Sequence, residues 1–90
     1  MAYQISYTET ARHDLRLLPG NYRQRLKRLI ESLVEMPRPL SAKELRAMPD
    51  HYRIRVDNWR LIYRVDDDTS GVLILCVRYK TGPEIYQNLE

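Results

Sequence analysis

The chain has a single cysteine, Cys76, so it cannot close an internal disulfide, and its two histidines, His13 and His51, stand too far apart for metal-ligand spacing. A structural zinc or a metal-activated water is therefore not expected, and no cofactor is. No stretch approaches the roughly 20 apolar residues of a membrane helix. Met1 to Thr10 lack the basic start and apolar run of a signal peptide. The expected compartment is the cytoplasm, with no membrane contact. At 90 residues the chain is too short for a second core, so binding and chemistry should share one surface of a single domain spanning residues 1–90.

What is present is an ordinary globular share of apolar residues, 43%, with 30% charged, a net charge of +3 and a pI near 9.2. The excess of cations suggests a polyanionic partner without distinguishing nucleic acid from an acidic protein. Cys76 sits in the apolar run Val72 to Val77 and reads as a small buried residue rather than a nucleophile.

Tyr3, Ile5 and Tyr7 alternate with polar neighbours, the period of a half-buried strand. Thr8 is placed to cap a helix through Leu18 whose inner stripe is Ala11, Leu15 and Leu18. Pro19-Gly20 breaks it. Asn21 is expected to cap a second helix, with Tyr22, Leu26, Leu29, Ile30, Leu33 and Val34 on one face. Its outer face carries Arg23, Arg25, Lys27 and Arg28, which fit a solvated surface or contacts to phosphate equally well. Pro37 and Pro39 should end this helix, and a loop with one short turn around Ala42 to Arg46 should follow. Tyr52–Val56, Arg60–Val65 and Val72–Lys80 then describe a three-stranded antiparallel meander, turned at Asp57-Asn58 and at Asp66 to Gly71. A short amphipathic segment, Glu84 to Leu89, closes the chain. The expected fold is α+β: an N-terminal strand, then an antiparallel helical hairpin packed on a mainly antiparallel sheet that ends in the meander.

Alternation sorts each strand into two faces. Tyr52, Ile54, Val56, Leu61, Tyr63, Val65, Leu73, Leu75 and Val77 form the apolar set expected beneath the helices. Arg53, Arg55, Arg60, Arg64, Arg78 and Lys80 fall in the opposite set, with Ile62, Val72, Ile74 and Cys76 among them. Like charges on one sheet face repel unless a polyanion neutralises them, and a phosphate backbone would do so. Trp59 and Tyr86 are flat rings on which a base could stack, although Trp59 reads better as packing beside the turn.

The stretch Lys43-Glu44-Leu45-Arg46-Ala47-Met48-Pro49-Asp50-His51-Tyr52-Arg53-Ile54-Arg55-Val56, continued by Trp59-Arg60-Leu61-Ile62-Tyr63-Arg64-Val65, Val77-Arg78-Tyr79-Lys80 and Glu84-Ile85-Tyr86, resembles the RelE toxins of the RelE/ParE superfamily. The likeness spans nearly the whole chain. It implies a ribonuclease that enters the ribosomal A site and cuts messenger RNA without a metal, by attack of the ribose 2′-oxygen on the adjacent phosphate. It also implies silencing by a RelB-like antitoxin. By position, the family's basic pair falls on Arg53 and Arg55, its transition-state arginine on Arg60, its late basic residue on Lys80 and its terminal tyrosine on Tyr86. The pair is arginine here where lysine is common, and the late residue is lysine where arginine is common.

Arginine keeps its proton, so Arg53, Arg55 and Arg60 suit a phosphate clamp, with Arg64, Arg78 and the helical cations as further RNA contacts. Lys80 is assigned to protonating the leaving oxygen and Tyr86 to orienting or deprotonating the nucleophile. Two other readings share these residues: a ParE-like inhibitor of DNA gyrase, and an RNA-binding module without chemistry.

Overall fold

The computed structural model describes residues 2–80. Strand β1 (Gln4–Tyr7) leads into helices α1 (Glu9–Leu17) and α2 (Gly20–Ser32). Strands β2 (Lys43–Glu44), β3 (His51–Val56), β4 (Trp59–Asp66) and β5 (Gly71–Tyr79) follow. They form one five-stranded sheet in the order β1-β5-β4-β3-β2. The meander is antiparallel as expected, while β1 runs parallel to β5 at the sheet's edge. Both helices lie on one face.

Thr8 caps α1 as its sequence position predicts. Its Oγ1 accepts from the Ala11 N–H at 3.0 Å and its hydroxyl donates to the Leu75 carbonyl at 2.7 Å, so one side chain starts the helix and ties it to β5. The end of α1 meets β5 a second time. Beyond Tyr7, where β1 stops, the Val77 N–H has lost its strand neighbour, and Asp14 Oδ2 accepts it at 3.0 Å.

Three expectations are corrected. Asn21 does not cap α2, which begins one residue earlier behind Pro19 with no side-chain cap, because proline's restricted φ already sets the entry. The helix ends at Ser32, before Pro37 and Pro39, with Leu33 at its C-cap. The segment around Ala42 to Arg46 is not merely a turn, since Lys43 and Glu44 pair antiparallel with Arg53 and Tyr52.

The main core consists of Ala11, Leu18, Leu26, Ile30 and Leu33 from the helical layer against Ile54, Leu61, Tyr63, Val65, Val72, Ile74 and Val77 from the sheet. Each fully buried leucine or isoleucine contributes on the order of 1.5–3 kcal/mol. Val72 and Ile74 are here, contrary to the alternation argument, which placed Leu73 and Leu75 beneath the helices. The cause is a β-bulge. Ile62 pairs with Cys76 but the next residue, Tyr63, pairs with Ile74, so Leu75 is the extra residue and reverses the facing of everything before it in β5. Cys76 and Val77, after the bulge, keep the faces that alternation assigns them.

Tyr63 is fully buried, stacks on Tyr52 with ring centroids 5.7 Å apart, and donates its hydroxyl to the Pro37 carbonyl at 2.7 Å. Burial raises its pKa, keeping it a donor. Nearby, Arg38 forms a bidentate pair with Asp67 at 3.0 and 3.1 Å and donates to the Tyr52 hydroxyl at 2.7 Å, and Tyr3 donates to the same Asp67 at 2.8 Å. These contacts bind the segment after α2 to the sheet. They hold Asp67 below the usual carboxylate range, through Arg38 first and Tyr3 second.

Candidate active site

The face of the sheet away from the helices is built in rows by strand register. Arg55 pairs with Arg60, and Arg60 with Arg78, giving three arginines side by side across β3, β4 and β5. With neighbouring strands about 4.8 Å apart, this row concentrates positive charge on the central strand. The adjacent row is Lys43, Arg53, Ile62 and Cys76. Next to it lie His51, Arg64 and Leu73.

The apolar members of this face do pack, as they must. Leu45, Ile62 and Cys76 form a small satellite cluster with Met48 and Leu75 against it, so the chain after β2 folds over part of the face. Cys76 is buried there, and desolvation raises its thiol pKa against the opposing effect of Arg78.

Arg60 occupies the middle of the arginine row but is only 2% exposed. Its Nη1 donates to the backbone carbonyls of Asp57 at 3.3 Å and Trp59 at 3.4 Å, both long, and among the described residues its Nε has no hydrogen-bond partner. Among the described residues no carboxylate lies within ion-pair distance of Arg55, Arg60 or Arg78. A buried guanidinium is normally paired. Here the described residues flank it with like charges, an arrangement that an anion would complete.

The acidic residues nearby are committed elsewhere. Asp57, in the turn between β3 and β4 at φ 55°, accepts from the Tyr22 hydroxyl at 2.7 Å and from Arg25 at 2.9 Å. Those two partners, Tyr22 foremost, hold its carboxyl below the usual range. Glu44 Oε2 accepts the Asp50 N–H at 3.0 Å, and Asp66 lies 4.0 Å from Arg64. Among the described residues no three His, Cys, Asp or Glu side chains gather as a metal would require.

The remaining residues singled out from the sequence fall in different places. Lys80 is exposed just past β5, and its N–H donates to the Asn58 carbonyl at 2.7 Å, which ties it to the turn beside the arginine row. Arg64 shares the face but stands four residues along β4 from Arg60, roughly 13 Å at strand rise. The α2 cations belong to the helical layer. Arg23 caps the end of α1 through the Leu18 and Arg16 carbonyls at 2.9 and 3.2 Å, Arg25 holds Asp57, Lys27 joins Arg12, Arg16 and Arg23 around a groove, and Arg28 is exposed. Trp59 packs on the helix side between Tyr22 and Tyr79, with centroids at 6.1 and 5.0 Å. Tyr86 and the Glu84 to Leu89 segment lie outside the described residues. Sequence reasoning passed over Lys43 and Ser41, which line a cleft with Arg53 and Arg55. The signal available was the polar pair Lys43-Glu44, readable as a strand only once paired with β3.

The family model described as ParE toxin of the type II toxin-antitoxin system parDE matches residues 5–81. Among named relatives, the mRNA interferase toxin RelE of Escherichia coli is 34% identical over 88 residues, covering 96% of this chain and 92% of that protein. The structure of isolated E. coli RelE superposes with a TM-score of 0.80 at 31% identity, covering 97% of this chain and 94% of the other. RelE in the intact E. coli RelBE complex gives 0.80 at 32% identity, with 90% and 100% covered. The chain belongs to the RelE family within the RelE/ParE superfamily of toxins. Among the described residues no helix is long and apolar enough to cross a membrane.

Proposed function

We propose that this toxin is a ribosome-dependent endoribonuclease that cleaves messenger RNA in the ribosomal A site, working in the cytoplasm as one domain of residues 1–90. The observation that carries the reading is Arg60: buried, and set between Arg55 and Arg78 with, among the described residues, no partner for its Nε and no carboxylate within ion-pair distance. A phosphate whose charge grows in the transition state would gain most from such a group, because the donors are fixed before the reaction begins. In this scheme the ribose 2′-oxygen attacks the adjacent phosphorus while the bond to the 5′-oxygen breaks. A 2′,3′-cyclic phosphate and a 5′-hydroxyl result, and no metal is needed. Arg53 and Arg55 clamp the phosphate, Arg60 stabilises the transition state, Lys80 gives a proton to the leaving oxygen, and Tyr86 orients or deprotonates the nucleophile. Arg64, Arg78, Arg23, Arg25, Lys27 and Arg28 add contacts to messenger or ribosomal RNA.

The silencing partner is a RelB-like antitoxin, a reading supported by the RelE relatives that were solved bound to RelB. Incubating the toxin with programmed ribosomes and mapping both new RNA ends tests the function. Cleavage inside the A-site codon that leaves a 5′-hydroxyl is expected, with naked messenger a poor substrate. Equal cleavage of naked messenger would refute the ribosome requirement. The match to the ParE model favours one second reading, inhibition of DNA gyrase. Intact RNA together with blocked supercoiling would establish it instead.

A further inference from the structure

The turn between β3 and β4 is fastened from the helical layer. Asp57 and Asn58 are its two residues, since Val56 pairs with Trp59 directly across them. At φ 55° Asp57 takes the left-handed backbone that an L residue adopts only at a cost, so something must hold it there. Its carboxylate does so, with Oδ2 accepting from the Tyr22 hydroxyl at 2.7 Å and from Arg25 at 2.9 Å. Tyr22 and Arg25 stand three residues apart on α2 and share a face, with the Arg25 guanidinium 5.3 Å from the centre of the Tyr22 ring. Leu26, the next residue, is fully buried in the main core, so the grip is mounted on a fixed element.

The same turn carries the Arg60 guanidinium. Among the described residues its acceptors are the Asp57 and Trp59 carbonyls, both reached by Nη1, at 3.3 and 3.4 Å. Tyr22 meets both of these residues, Asp57 through its hydroxyl and Trp59 through its ring, the two ring centroids lying 6.1 Å apart. Asn58 is held differently, by main chain, because its carbonyl accepts the Lys80 N–H at 2.7 Å. The hold on Asp57 is therefore the part that a side-chain change releases while the tie to Lys80 remains. Hydrogen bonds of 3.3 and 3.4 Å stand near the limit of useful geometry, so a small shift of the turn would free Nη1.

Resting on the function proposed above, we infer that Tyr22 and Asp57 are positioning residues for Arg60. From the helical layer they set where its guanidinium stands against the scissile phosphate, and they touch no reacting atom themselves. Helix α2 is thereby part of the support of the site on the opposite face of the sheet.

The test is single-turnover cleavage on programmed ribosomes with toxin titrated, for wild type, Tyr22→Phe, Asp57→Gly, Arg60→Met and the double variant Asp57→Gly/Arg60→Met. Glycine adopts a positive φ freely, so Asp57→Gly keeps the turn and removes only the hold. Tyr22→Phe keeps the ring on Trp59 and removes only the hydroxyl. Circular dichroism under the assay conditions gives the folded fraction of each variant, and rates are compared per folded molecule. Asp57→Gly should lower the rate at saturation about tenfold and Tyr22→Phe about fivefold, within the roughly 10²-fold that a misplaced group can cost. The half-saturating toxin concentration should move less than about twofold, as for an interaction felt only in the transition state. With Arg60→Met already present, Asp57→Gly should cost less than about twofold more, because the group it positions is gone. If wild type cleaves and both single variants match its rate, the positioning role is refuted and the nuclease reading stands. A loss confined to half-saturation would make the pair ribosome contacts, and a full tenfold loss persisting beside Arg60→Met would show that the effect bypasses Arg60; either result overturns the inference. If wild type leaves RNA intact on ribosomes, the nuclease reading falls and the positioning role falls with it.

Discussion

Replacing Arg60 with methionine should make the protein more stable while removing its activity. Arg60 is 2% exposed, with an unpartnered Nε and two long contacts to backbone carbonyls. Leaving a buried donor unsatisfied costs about 1–3 kcal/mol. Facing Arg55 and Arg78 directly adds roughly 0.2–1 kcal/mol for each like-charge pair. Against this, the two bonds to Asp57 and Trp59 contribute about 1–2 kcal/mol at their lengths, and methionine keeps most of the apolar stem. The balance favours Arg60→Met by about 1 kcal/mol, in line with other buried charges replaced by apolar residues of similar volume. In urea, with a slope near 1 kcal/mol/M for a chain this short, the unfolding midpoint should rise by about 1 M. Single-turnover cleavage should fall by about 10²-fold or more. A loss of stability exceeding about 1 kcal/mol would refute the reasoning, because Arg60 would then be holding the turn together and its burial would say nothing about a ligand.

Asp57→Asn keeps a residue that tolerates the left-handed turn but removes the charge that Tyr22 and Arg25 engage. The folded pKa of Asp57 is depressed, so its contribution is present above the unfolded value near 3.9 and is lost as pH falls through the lower folded value. Acid titration of the variant should show a shallower loss of stability below about pH 4 than wild type, and identical acid limbs would refute the pairing. Arg38→Lys should not rescue Arg38→Ala, since one ammonium cannot span both Asp67 oxygens and the Tyr52 hydroxyl. Each variant should lose about 1 kcal/mol in urea unfolding, and full retention by lysine would show that charge alone suffices. Cys76, buried with a raised pKa, should react with a thiol reagent at neutral pH only as fast as the protein unfolds. Immediate modification of the native protein would place the thiol at the surface.

The meander was legible because its strands alternate strongly and are bounded by Asp-Asn and by a polar turn. Thr8 was legible because a hydroxyl at a strand-to-helix junction has one obvious use. The bulge was not. From Val72 to Val77 every residue is apolar, so parity carries no information, and only pairing with β4 reveals that Leu75 is the extra one. The two-residue β2 has no periodicity of its own and exists through Arg53 and Tyr52, which kept Lys43 out of view. Alternation correctly put Arg60 among the cations. It could not show that the arginine is buried, because burial is a property of the folded chain and not of strand parity. The proposed proton carriers rest on the resemblance, since Tyr86 falls outside the described residues.

The parallel pairing of β1 with β5 joins Gln4–Tyr7 to a strand that follows it only after both helices and three other strands. A nascent chain therefore carries its opening strand unpaired until Gly71–Tyr79 has emerged, and the sheet cannot be assembled in the order it is made. Arg78, the final member of the arginine row, arrives with that same strand. Folding is governed by contacts between distant residues, a topology that slows it. The molecule thus has a built-in order of assembly: the arginine row is completed only by the strand that also closes the sheet.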